Sequence, residues 1–163
     1  MTARISALAG ILVVSASILA HSQATPSVQG AWRVTAVTGA NGTNKSPQPG
    51  LLLFTKQHYS LLSVGGTSPR KEFGPPKDPA NLTDAERAAR YEAWDVLTAN
   101  SGTYEVKGTT LTLHPIVAKN PSVMTGGPLT REFKISGKTL IMTQKPTAGQ
   151  PGGETTTTFT RVE

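Results

Sequence analysis

Arg131 stands where a charge is costly. In the run Thr130 to Ile135 (TREFKI) it alternates in phase with Phe133 and Ile135. Side chains of a strand point to opposite faces in turn, so these three share one face. If that face is the interior, the guanidinium demands a partner, an anionic ligand or a place at the solvated rim. Tyr59 alternates in the same way with Leu61, and Tyr104 with Val106. Each would put a hydroxyl on an otherwise apolar inner face. Tyr59, Tyr104, Arg131 and Phe133 are therefore the candidate ligand-binding residues, for a small, mostly apolar molecule or a carboxylate. In a filled interior the same tyrosines are core.

Other chemistry is poorly represented. The chain of 163 residues has no cysteine, which removes disulfides, thiolate metal sites, haem attachment and cysteine nucleophiles together. His58 and His114 supply two nitrogen ligands without a third, whereas zinc takes three or four protein ligands. No metal and no cofactor is expected. No Gly-x-Ser-x-Gly follows a strand, and no glycine-rich phosphate loop leads into a helix. Glu105 and Glu132 fall on the faces opposite the apolar residues of their strands, where carboxylates are solvated. No catalytic residue is assigned. The 16 Lys and Arg against 10 Asp and Glu give a formal charge of +6. These cations are scattered singly, whereas a nucleic-acid platform needs a clustered stripe, so no nucleic-acid partner is expected.

The first residues have the pattern of an export signal. Arg4 is the positive start, Ile5 to Ala20 the apolar stretch, and Ser22-Gln23-Ala24 the small-residue cleavage site. The apolar stretch is short for a span of about 20 residues. This predicts a signal peptide over 1–24, cleavage after Ala24, and a domain over 25–163 that is secreted or periplasmic and free of the membrane. Export without cysteine fits a bacterial envelope.

The elements that must position the candidate residues are mostly strands. Gly30 to Thr38, Leu51 to Lys56 and Tyr59 to Val64 read as the first three. Residues 65–80 carry four prolines and three glycines and form a loop. A helix follows. Thr83 and Glu86 form a capping box, and the run continues to about Thr98 with Ala85, Ala88, Ala89, Tyr91, Trp94 and Leu97 on one broad face. Asn100-Ser101-Gly102 would end it. Thr103 to Val106, Thr109 to Val117, Thr130 to Ile135, Thr139 to Lys145 and Thr155 to Val162 are further strands. Asn41 to Gly50 and Asn120 to Pro128 are loops. The expectation is all-β: eight antiparallel strands in an up-and-down barrel, with one helix inserted between strands 3 and 4.

Several segments in order resemble one family. Gly30-Ala31-Trp32 opens the first strand, Pro49-Gly50-Leu51 leads into the second, and Ser101 to Val106 (SGTYEV) and Thr110 to His114 (TLTLH) follow. Thr160-Arg161-Val162 ends the last strand. Over residues 28–163 the chain resembles the small secreted bacterial lipocalin-like domain proteins, which have calycin-type β-barrels. The resemblance implies a barrel closed at one end by Trp32 and Arg161. An indole there needs a lid, and a stacked guanidinium supplies one. Lipocalins place their long helix after the strands and often carry disulfides; this chain does neither. The function expected is a secreted barrel binding a small, mostly apolar ligand in its lumen. The alternatives are a filled structural or interaction barrel, or a cofactor-free isomerase or cyclase using the cavity.

Overall fold

The structure, a computed structural model, describes residues 27–146 and 153–163. The expected signal and its cleavage point lie outside the described residues. The elements are β1 (Gly30–Gly39), β2 (Gly42–Asn44), β3 (Gly50–Phe54), β4 (His58–Val64), α1 (Asp84–Asp95), β5 (Leu97–Lys107), β6 (Thr110–Ala118), α2 (Pro121–Thr125), β7 (Leu129–Ser136), β8 (Thr139–Gln144) and β9 (Thr155–Arg161). All neighbours are antiparallel, in the order β2-β1-β3-β4-β5-β6-β7-β8-β9, and β1 also pairs with β9. Eight strands thus close on themselves, each paired with a neighbour on both sides. The short β2 hangs on β1 alone.

The helix position is corrected. The Asn41–Gly50 segment, expected as loop, contains a strand. Gly42, at φ +101°, lets the chain reverse after Gly39, and the Thr38 and Thr43 hydroxyls bond at 2.9 Å across the hairpin. Helix α1 therefore follows the fourth strand, not the third. A second helix, α2, occupies the expected loop 120–128. Asn120 caps it by accepting from the Ser122 N–H at 3.1 Å, and Pro121 takes the first position.

The expected start of α1 and its observed end have different causes. Thr83 Oγ1 accepts from the Glu86 N–H at 3.2 Å, and Glu86 Oε2 accepts from the Thr83 N–H at 2.9 Å. Local chemistry sets that end. At the other end Val96 caps the helix and β5 begins at once, with Leu97 opposite Val64 and Asn100 opposite Leu61. The β4 ladder recruits residues that were expected to continue or end the helix. The broad apolar face is not buried either. Among the helix residues only Ala93 is buried, while Tyr91 and Trp94 are exposed. The preceding loop is tied to the helix by Arg70 Nε, which donates to Ala93 O at 2.9 Å, and by Arg90 over the Phe73 ring at 4.5 Å.

The core lies toward one end of the barrel. Trp32, Leu52, Leu111 and Leu140 are its fully buried side chains. Tight turns at 55–57, 108–109 and 137–138 lie at this base. Trp32 Nε1 donates to Val28 O at 2.7 Å, and the Arg161 guanidinium lies over the indole, 4.0 Å from its centroid. Arg161 Nη2 donates to Ser27 O at 2.8 Å and Nη1 to Gln29 O. Gly30, at φ +120°, makes this possible. A Cβ there would stand 2.6 Å from Arg161 Nη1 and from Glu163 O. The glycine of Gly-x-Trp is thus the room the arginine needs. The long connections 40–49, 65–96 and 119–128 all leave from the opposite end.

Candidate functional site

Above the core, a cavity of about 330 Å³ occupies the end of the barrel that carries the long connections. Leu52, Leu61, Leu113, Leu129, Met142 and Phe159 form its apolar wall. Thr98, Asn100, Arg131, Gln144, Thr155 and Thr157 supply its polar groups, and Val123 of α2 reaches it from above.

A bulge and a glycine shape the wall. The ladder between β5 and β6 shifts register between Ser101 and Gly102. A Cβ on Gly102 would collide with the carbonyl of His114, so only glycine fits this close approach. Opposite Gly102 stands Tyr59. It is buried, and its hydroxyl donates to Asn100 Oδ1 at 2.8 Å. Asn100 is the buried polar residue of the described chain. Its acceptor oxygen is engaged by Tyr59, while its amide nitrogen makes no hydrogen bond among the described residues. That leaves the Asn100 amide donors available toward the cavity.

Arg131 sits opposite Leu111 on β6, on the inner face. Nη1 donates to the carbonyl of Thr130 at 2.8 Å. It forms no ion pair among the described residues, and residues 1–26 and 147–152 contain no Asp or Glu. Burial holds its pKa below the ordinary value, and the nearby Tyr59 raises it in part. Tyr59 shows the complement: burial raises its pKa, and the Arg131 charge opposes that shift. The two groups feel each other across the lumen.

The four candidate residues therefore do not form one cluster. Arg131 lines the cavity, and Tyr59 reaches it through Asn100. Tyr104 lies lower, edge-on to Phe54 at 4.9 Å, with its hydroxyl donating to Thr55 O at 2.8 Å. Phe133 sits opposite Met142 and packs against the core. On the outside, Glu105 takes His114 Nε2 and Lys107 Nζ, each at 3.5 Å, and Glu132 takes Lys145 Nζ at 2.6 Å. Among the described residues no group of three or more His, Asp or Glu is placed to hold a metal ion.

Asn100 was missed because Asn100-Ser101-Gly102 reads as a helix end. Its signal was the period-two phase it shares with Gly102 and Tyr104. Thr155 and Thr157 were missed for another reason. Residues 155–158 are all threonine, so alternation cannot show which face is inside.

No protein-family model matches the chain, and no curated protein does. Solved structures similar to it include the following two. One is a lipocalin-like protein from Bacteroides uniformis, with a TM-score of 0.45 and 16% identity over 82% of this chain and 96% of that one. The other is an uncharacterized protein from Bacteroides eggerthii, with a TM-score of 0.43 and 10% identity over 82% and 98%. The chain's own geometry shows the fold: an all-β barrel of eight antiparallel strands closed in sequence order, with a Gly-x-Trp at the start of the first and an arginine of the last laid over that indole, as the resemblance to lipocalin-like proteins implies.

Proposed function

We propose that the barrel is an exported binding protein for a small, mostly apolar molecule carrying a carboxylate. The observation that carries this reading is the cavity of about 330 Å³. It combines an apolar wall with a guanidinium that has no carboxylate partner among the described residues. Arg131 is half-buried with guanidinium donors left over, and a charged acceptor is the strongest partner for them, so a ligand anion at Arg131 completes the site. The volume stands near the lower end of the usual range for small-molecule pockets. At ~30 Å³ each it holds about eleven water-sized groups. The ligand lies in the upper half of the barrel, because Trp32, Leu111 and Leu140 fill the lower half.

Native mass spectrometry of protein purified from its own host tests the reading. The expected result is a co-purified acid. A titration with decanoate and decanol should then show saturable binding with the acid preferred. If nothing co-purifies and neither compound binds, the barrel is a filled structural element.

A further inference from the structure

The barrel wall is incomplete beside Arg131. The β7–β8 ladder runs from Ser136↔Thr139 up to Glu132↔Thr143 and stops there. Continued by one step it would set Arg131 opposite Gln144. Instead Leu129, Thr130 and Arg131 pair only with β6, and Gln144 pairs with Thr155 of β9. The strands part at this level. A second cavity of about 570 Å³ lies at the gap, under α2. Val123, Leu129, Arg131 and Gln144 line both this cavity and the lumen. Its other walls are largely polar, among them Ser122, Thr130 and Thr143. On the outer side the Lys145–Glu132 pair spans the last rung.

We infer that the gap between β7 and β8 is a side opening of the lumen, and that it receives the polar head of an anionic amphiphile whose apolar part lies in the barrel. The inference rests on the lumen-binding reading above and narrows its ligand class. The two chambers differ in character, the lumen mostly apolar and the second about half polar, and they meet at a guanidinium. Arg131 has five N–H donors and makes one hydrogen bond among the described residues. A carboxylate or similar anion at the threshold satisfies it. A chain of head atoms beyond that anion or amide can then continue outward among hydroxyls. A free acid small enough to be enclosed would leave the second chamber unused. The ligand class is an acyl chain or flat apolar group joined to a polar, negatively charged head too large for the lumen.

The cysteine-free sequence allows a clean test. Thr130→Cys, coupled after folding to a bulky polar maleimide, obstructs the gap. Lys134→Cys, on the exposed face of the same strand, carries the same label as a control. Binding of decanoate and of decanoyl-glycylglycine is measured by calorimetry. The unlabelled wild-type protein should bind the conjugate within about threefold of decanoate. The label at T130C should weaken the conjugate about tenfold, or ~1.4 kcal/mol, while decanoate and the K134C control stay within about threefold. If the wild-type protein binds decanoate and excludes the conjugate, the side opening is wrong while the lumen reading stands. The same holds if the label at T130C leaves conjugate binding unchanged. If neither compound binds, both readings fall together.

Discussion

Two arginines lie at opposite levels of the barrel in contrasting surroundings. Arg161, at the base, covers the Trp32 ring and donates to the carbonyls of Ser27 and Gln29. Its charge faces a π-system and backbone dipoles that belong to the same fold. Arg131, beside the cavity, has the Thr130 carbonyl, an apolar wall and uncharged polar neighbours such as Asn100 and Gln144. The first guanidinium is satisfied by the fold, whereas the second keeps donors that, under the proposed reading, a ligand anion takes.

The contrast makes predictions, beginning with the largest effect. Trp32→Ala removes a fully buried indole and should cost about 3–5 kcal/mol of stability, read from urea unfolding. Arg161→Ala should cost less. In a double-mutant cycle the two should couple by about 0.5–2 kcal/mol, because each loses the same contact. Additive losses would show that the stack contributes nothing. Gly30→Ala attacks the same plug through the backbone. It should destabilise by about 1–3 kcal/mol, from its positive φ and the collision with Arg161.

Arg131→Met should behave in the opposite way. Stability should hold or rise slightly, since a half-buried charge with no ion-pair partner among the described residues is replaced by an apolar chain. Decanoate binding should weaken by about tenfold, ~1.4 kcal/mol, with decanol little changed. Equal loss for both compounds would make Arg131 a packing residue.

The smallest effect concerns Tyr59. Tyr59→Phe loses the hydrogen bond to Asn100 and should cost about 1 kcal/mol. Burial raises the pKa of Tyr59 in the fold above its ordinary 10.0. The folded state therefore holds the phenol proton more tightly than the unfolded chain does. Its contribution is fully present below pH ~10 and is lost as pH rises through the folded value. Wild-type stability should fall across that alkaline window more steeply than that of Tyr59→Phe. Tyr104, also raised by burial, contributes in the same direction, so Tyr104→Phe should flatten the remaining slope. An unchanged slope in both variants would mean that neither phenol is desolvated.

Local signals were legible wherever short-range chemistry decides the structure. The capping box of α1, the Lys107-Gly108 and Ser136-Gly137 turns and the alternation of Arg131 with Phe133 all follow from neighbours in sequence. Misreadings arose where two strands compete for a segment. Residues 97–102 read as helix end, yet β4 draws them into a ladder, and with them Asn100 into the lumen. The apolar helix face, with Tyr91 and Trp94, misled because period alone does not create a surface to bury it against.

The sequence by itself determined the strand periodicity and the phase that Arg131 shares with Phe133 and Ile135, which follow from a period of two. Its resemblance to lipocalin-like proteins implied the closing glycine, tryptophan and arginine. Only the tertiary structure decided where the β7–β8 ladder ends, how much of the lumen Leu111 and Leu140 fill, and that no carboxylate among the described residues reaches Arg131. Those depend on register and closure among residues far apart in the chain, and a one-residue slip in register would send each of these side chains to the other face.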